Sequence, residues 1–154
     1  ASLLAREPFL ALGGYREQLF NRGEDSEYAR RMLKHGRVVR IGTAPEVHHH
    51  GSASRQLDED VYVQARAQVL QTAWTLPWRT APRRLALSVG HGARHGHPVA
   101  AVRGLAAGTA AAARTRSMRD PLPAPLAALL RQMESERLRL RYRMRLEDLE
   151  PHLP

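Results

Sequence analysis

Three acidic residues close together are the strongest candidates for chemistry in this chain. Glu24 and Asp25 are adjacent, and Glu27 follows two positions later. A carboxylate within hydrogen-bond reach of a hydroxyl can take its proton as that hydroxyl attacks an electrophilic carbon. Asp25 is therefore the candidate general base, with Glu24 beside it. Acidic residues are also common at helix starts, where they complement the helix dipole, so the same group has a purely structural alternative.

Three consecutive histidines, His48 to His50, form the second candidate group, and a Gly-Ser-rich turn at residues 51–54 follows them. Imidazole is an ordinary ligand for Mn²⁺. Without a metal, the histidines can face solvent on a strand. They can also be the remnant of an affinity tag, although a tag normally has more histidines at a terminus.

Both groups belong to a longer pattern. In chain order it reads Gly13-Gly14-Tyr15-Arg16-Glu17, Glu24-Asp25-Ser26-Glu27, Arg31 and His49-His50-Gly51-Ser52-Ala53-Ser54. This pattern resembles the family 2 glycosyltransferases, in which a Gly-Gly-Phe-Asp-Glu turn precedes a Glu-Asp-x-Asp helix start, an arginine on the same helix and a His-x-Gly-x-Ser segment. The resemblance covers residues 2–54 and extends weakly into the rest of the chain.

The resemblance implies the C-terminal part of a GT-A-type glycosyltransferase in cell-surface polysaccharide synthesis. Such an enzyme transfers a sugar, with inversion, from a nucleotide-diphosphate sugar to a hydroxyl of a glycan or lipid-linked acceptor. The same resemblance gives Asp25 the role of catalytic base with Glu24. It places Gly13, Gly14 and Glu27 among the substrate-binding residues.

The resemblance also makes His49 a ligand of a divalent cation, Mn²⁺ or Mg²⁺, with His48 and His50 as alternatives. A metal that bridges two phosphates stabilises the leaving group as negative charge develops on it. The carboxylate ligands and the sugar-nucleotide half of such an enzyme are not in this sequence. Because the chain begins at Ala1 without an initiator methionine, we expect a fragment of a longer protein that is inactive alone.

Three residues depart from the family pattern. Tyr15 and Arg16 stand where Phe and Asp are usual, and Glu27 stands where Asp is usual. Arg16 replaces an acid with a base, which bears directly on the acceptor contacts. Arg31 is expected either to support the Glu24 and Asp25 carboxylates from the same helix or to lie exposed on its polar face.

Two helices are needed to position these residues. The segment Arg6 to Leu12 predicts a short helix that Gly13 and Gly14 end, because glycine readily takes the positive φ of a helix C-terminus. The segment Glu24 to His35 predicts a second helix, since it has acidic residues at its start and basic ones at its end. Gly36 is the expected stop of this second helix.

Short β-type runs at Val38 to Ile41 and around Val47 predict two strands. Residues 1–54 are therefore expected to be α/β, with edge strands and the acceptor-side helix of a nucleotide-binding sheet. Residues 55–154 are expected to form a separate, Arg-rich and mostly helical extension of about four helices. Its predicted features are a helix from Asp58 towards Pro77, a helix from near Ala81, breaks at 90–98 and 121–125, a small apolar stretch at 99–113 and a long helix at 126–149.

The charge of the chain suggests an anionic partner. Lys and Arg number 24 against 15 Asp and Glu, which gives a net charge of +9 and a pI near 11.2. Residues 1–54 hold eight basic and six acidic residues, or +2, and residues 55–154 hold 16 and nine, or +7. The rival function is therefore a basic helical module that binds nucleic acid or another partner. Acidic residues dilute the charge of the 126–149 segment and no nucleic-acid motif accompanies it, so we expect no nucleic acid as partner.

Trp74 and Trp78 lie near several arginines in the sequence, a combination that suits peripheral contact with an anionic membrane surface. The alternative is that both tryptophans fill a small helical core. No apolar run approaches the roughly 20 residues of a membrane-spanning helix. The chain has no cysteine, which excludes disulfides and a cysteine nucleophile. We expect a cytoplasmic protein with peripheral contact at the inner face of the cell membrane.

Overall fold

The computed structural model describes residues 4–19, 21–37 and 57–137. Within these ranges the chain forms six α-helices and three 3₁₀ turns, and no strand. The helices are α1 (Arg6–Ala11), α2 (Glu24–Lys34), α3 (Leu57–Thr75), α4 (Ala81–Arg94), α5 (Pro98–Arg114) and α6 (Ala124–Arg137). The 3₁₀ turns are Glu17–Leu19, Trp78–Thr80 and Arg116–Met118.

The expected α/β fold is wrong for the described part of the chain, and with it the expected nucleotide-binding sheet of GT-A type. The helix that was to lie on that sheet, α2, packs instead on helix α3. Arg30 of α2 donates to the Gln71 side chain at 2.6 Å, and Gln71 donates to the carbonyl of Gly23 at 3.1 Å. The predicted strands at Val38 to Ile41 and around Val47 lie outside the described residues. The charge pattern of α2 specifies a helix, but it does not specify which kind of layer covers the buried face.

Glycines end α1 and α2 as predicted. Gly13 and Gly14 have φ angles of +78° and +63°. Their amides donate to the carbonyls of Leu10 and Phe9 at 2.9 and 2.8 Å, which is the Schellman arrangement of a helix C-terminus. Gly36, with φ +68°, ends α2 in the same way.

Helix α3 is the centre of the described fold, and its C-terminal residues 69–75, together with Leu76, are all buried. Helix α5 runs parallel to α3, because Tyr62 lies against Gly104 near one end and Trp74 donates to Thr115 at 3.0 Å near the other. Helix α4 runs antiparallel to both and packs against both, so that its Gly92 meets Val61 and Ala101. The three helices form one packed unit.

Two of the boundaries predicted for residues 55–154 differ from the structure or are described only in part. The break expected at 90–98 is wrong in its first half, because α4 continues through Gly90 to Arg94 and ends at Gly96, whose φ is +78°. An isolated glycine within a helix costs only about 1 kcal/mol, which neighbouring turns can offset. The long helix expected at 126–149 begins at Ala124 and is described as far as Arg137.

The two tryptophans have different environments. Trp74 is fully buried at 0% exposure, in a core cluster with Leu19 and Leu70. Trp78 is 60% exposed, and the Arg119 guanidinium lies 4.2 Å from its ring centroid. Trp74 is therefore a core residue, and only Trp78 is available to a surface. No described helix has the length and apolar character required to cross a membrane.

Candidate functional site

The turn after α1 and the start of α2 bring most of the predicted site residues together. Arg31, two turns into α2, joins them. Its guanidinium donates to the carbonyl oxygens of Leu12 and Gly14 and, at 2.8–3.0 Å, to both carboxylate oxygens of Glu27. Arg31 was expected to support Glu24 and Asp25 or to lie exposed, but it is buried and pairs with Glu27 of the same helix. The glycine turn is thereby fixed against the helix that follows it.

Glu27 is an internal ion-pair partner. Its side chain is 0% exposed, and Arg16 contacts its Oε1 through Nε at 3.1 Å, in addition to the Arg31 contacts. Burial lowers the pKa of Arg16, while the Glu27 carboxylate acts to raise it. Arg16 also lies 4.9 Å from the Trp74 ring centroid and donates to the Met118 carbonyl at 3.2 Å. This ion-pair cluster of Arg16, Glu27 and Arg31 connects the candidate site to the core.

Asp25 has the opposite environment. It is exposed at the start of α2, and its Oδ1 accepts a hydrogen bond from the Tyr15 hydroxyl at 2.7 Å. Tyr15 is held in turn by edge-to-face contacts with Phe9 and Tyr28, at centroid distances of 5.2 and 5.6 Å. A carboxylate has about four acceptor positions on its two oxygens. The Asp25 carboxylate is therefore oriented by Tyr15 and retains capacity to accept a proton from another group.

The remaining predicted residues lie around this carboxylate. Glu24 precedes Asp25 in the first turn of α2, and its Oε2 is enclosed without an internal hydrogen-bond partner among the described residues. Gly13 is exposed, and a Cβ there would meet no atom within 4 Å. Gly14 is half-buried, with its carbonyl bound by Arg31. Both glycines form the end of α1, in agreement with the helix boundary predicted from the sequence.

The backbone before α2 is fixed by a residue that sequence reasoning missed. Gln71 of α3 donates to the Gly23 carbonyl, and a Cβ at Gly23 would overlap the Gln71 side-chain amide. Gly23 also has φ +82°, which favours glycine. Gln71 thus fixes the point at which α2 begins, and no short-range sequence pattern points to it.

Tyr15 and Arg16 were also missed as site-forming residues, although the sequence contained a signal for them. They are the two positions that differ from Phe and Asp of the family pattern. Tyr15 adds the hydroxyl that contacts Asp25, and Arg16 adds the cation that contacts Glu27. The departures therefore form new internal contacts with the acidic residues of α2.

The predicted cation site is not part of the described structure. His49, with its alternatives His48 and His50, lies outside the described residues. Among the residues that are described, no three His, Asp or Glu side chains are grouped so that they could hold a metal ion. The assignment of His49 stays a prediction.

Within the described residues, this arrangement offers one oriented and exposed carboxylate at a helix start, next to a rigid glycine turn. Such a group can accept a proton from a bound hydroxyl or hydrogen-bond to it. We compared the chain with protein-family models, with curated proteins and with solved structures, and none of the three comparisons gave a match.

Proposed function

We propose that the glycine turn and the start of α2 form the acceptor side of an inverting glycosyltransferase similar to family 2, with Asp25 as the general base. The main support is that two carboxylates on the same helix have different environments. Glu27 is buried in the ion-pair cluster, whereas Asp25 is exposed and oriented by Tyr15. A base needs an accessible oxygen in a fixed position, which Asp25 has and Glu27 lacks.

The environment of Asp25 supports this role. Fixing a reacting group in the correct geometry removes part of the entropy that a bimolecular step loses. Here the aromatic cluster of Phe9, Tyr15 and Tyr28 holds the hydroxyl that orients the carboxylate. Glu24, the neighbouring acid, is proposed as a secondary catalytic residue on the resemblance alone.

The remaining parts of the proposal come from the resemblance. The donor is a nucleotide-diphosphate sugar, and the acceptor is a glycan or lipid-linked hydroxyl in cell-surface polysaccharide synthesis. A divalent cation, Mn²⁺ or Mg²⁺, is proposed to bind His49. The proposed location is the cytoplasm, with peripheral contact at the inner face of the membrane.

The substitution Asp25→Asn tests the proposal. It keeps the shape of the side chain and the contact with Tyr15, but an amide does not accept the acceptor's proton. We expect sugar transfer to fall by at least about a hundredfold, the lower bound for loss of a general base, while nucleotide binding is retained. The measurement is nucleoside diphosphate release from a panel of nucleotide sugars, with the native gene product purified from its own cells.

The control is Glu59→Gln, which neutralises another exposed acid in the first turn of a helix, α3. It is expected to leave transfer unchanged. Tyr15→Phe is expected to reduce transfer only a few-fold, since it removes an orienting hydrogen bond but keeps the base. Transfer by Asp25→Asn within tenfold of the parent rate, or no transfer by the parent with any nucleotide sugar, would contradict the proposal.

The rival basic module is less well supported, because several arginines are committed to internal contacts. Arg66 donates to the Gln18 carbonyl at 2.7 Å, and Arg119 donates to the carbonyls of Ala73 and Leu76 at the C-terminal end of α3. Arg16 and Arg31 form the ion-pair cluster with Glu27. These arginines stabilise the fold, so fewer guanidinium groups than the composition suggests are available for direct contact with an external polyanion.

A further inference from the structure

A groove lies between α3 and α4, on residues that take no part in the proposed sugar transfer. Its volume is about 300 Å³, at the lower end of the roughly 300–1,000 Å³ that small-molecule sites occupy. One wall is a face of α3 and the other a face of α4. The lining residues are Gln64, Gln68, Arg83, Arg84, Leu87, Ser88 and His91.

The lining offers hydrogen-bond donors and positive charge. Arg83 and Arg84 stand at the start of α4, and His91 lies two turns further along the same face. The side-chain nitrogen of Gln68 is enclosed and has no internal hydrogen-bond partner among the described residues. Among the described residues that line the groove, none is acidic. An unpaired buried donor beside two guanidinium groups favours an anionic, oxygen-rich ligand.

Further basic residues lie near His91. The pKa of His91 is lowered by partial burial, then by His95, Arg94 and Arg22. The His91 and His95 rings lie 4.4 Å apart between centroids. Arg22 also forms an ion pair with Asp60, in which Arg22 Nη2 lies 3.2 Å from the carboxylate. The positive groups are thus close enough to act on one another, and a bound anion would relieve their repulsion.

We propose that the α3–α4 groove binds the phosphate or diphosphate group of a phosphorylated ligand. The guanidinium groups of Arg83 and Arg84 suit phosphate oxygens, which they can bind in a forked geometry. Gln68 supplies a neutral donor. Leu87, 60% exposed at the edge of the groove, supplies an apolar contact for the part of the ligand next to the phosphate.

The proposal is independent of sugar transfer, because Asp25 and its contacts do not line the groove. The ligand can come from two sources with the same chemistry, a soluble phosphorylated molecule or a phospholipid headgroup. Pyrophosphate serves as the probe for the first, and phosphatidylcholine vesicles with and without phosphatidic acid serve for the second. Both use the full chain.

In the first measurement, pyrophosphate is titrated into the protein, and binding is detected by calorimetry and by the NMR signal of the His91 ring. We expect saturable binding and an increase in the pKa of His91, since a bound anion favours the imidazolium form. The double substitution Arg83→Gln with Arg84→Gln is expected to weaken binding at least tenfold. The single substitution Leu87→Glu, at an exposed position that tolerates a polar side chain, is expected to weaken binding by repulsion.

The matched control is Arg103→Gln with Arg114→Gln, which removes two exposed charges from α5 outside the groove. It is expected to leave pyrophosphate affinity within about twofold of the parent. Binding of pyrophosphate without vesicle retention supports a soluble ligand, and vesicle retention that pyrophosphate displaces supports a headgroup. Absence of both, or equal losses in the groove and control variants, overturns the proposal.

Discussion

Replacement of Glu27 by glutamine is expected to lower the free energy of unfolding by about 3–5 kcal/mol, the range observed when one partner of a buried ion pair is removed. The carboxylate is 0% exposed and lies between the guanidinium groups of Arg16 and Arg31. Glutamine has nearly the same volume, so no cavity forms. It leaves two adjacent buried cations without a counter-charge.

Urea denaturation followed by circular dichroism measures this effect. The matched control is Glu59→Gln, at an exposed position of α3, which is expected to change stability by no more than about 0.5 kcal/mol. The loss in the Glu27 variant is expected to be nearly the same at low and high salt, because buried pairs are screened much less than exposed ones.

A double-mutant cycle identifies the source of the effect. If Arg16→Met is combined with Glu27→Gln, the loss is expected to be smaller than the sum of the single losses, because both single variants lose the same Arg16–Glu27 contact and the sum counts it twice. Equal stability losses for Glu27→Gln and Glu59→Gln would show that the ion-pair cluster does not hold the turn to the core, and would contradict this prediction.

The helices near the candidate site could be predicted because their signals are local. Gly13 and Gly36 end α1 and α2 at the expected places, since a positive φ at a helix C-terminus depends on the few residues around it. What covers the buried face of α2 is a long-range property. Either a sheet or another helix can cover the apolar face of α2. The α/β prediction was wrong here because the sequence pattern does not distinguish the two.

The environments of the carboxylates could be predicted only in part, for the same reason. An exposed acid at a helix start was expected, and Asp25 is one. Glu27 is two residues further on, and its environment depends on Arg16 from the preceding turn, which in turn lies on Trp74 of α3. No local pattern distinguishes it from a solvated acid. The differences from the family pattern at Tyr15 and Arg16 were the only available signal, and their partners became evident only in three dimensions.

The parallel contact between α3 and α5 depends on glycine at two positions one turn apart. A Cβ at Gly104 would overlap the carbonyl oxygen of Tyr62, and a Cβ at Gly108 would lie 2.8 Å from both the Arg66 carbonyl oxygen and the Val69 Cβ. Those carbonyl oxygens belong to the backbone of α3 and cannot rotate away, so α5 would have to move outwards. The pair therefore sets the separation of the two helices.

We expect the double substitution Gly104→Ala with Gly108→Ala to lower the free energy of unfolding by about 2–6 kcal/mol, from roughly 1–3 kcal/mol for each overpacked site.

The opposite result is expected for Gly90→Ala in α4, where a Cβ would meet no atom within 4 Å. That change should stabilise the protein by about 0.5–1 kcal/mol, because alanine favours the helix more than glycine does. The same substitution, glycine to alanine, is thus expected to lower the free energy of unfolding in α5 and to raise it in α4. Urea denaturation of both variants measures this free energy. Stabilisation by the double substitution would mean that helix propensity outweighs contact, and that α3 and α5 are not closely packed.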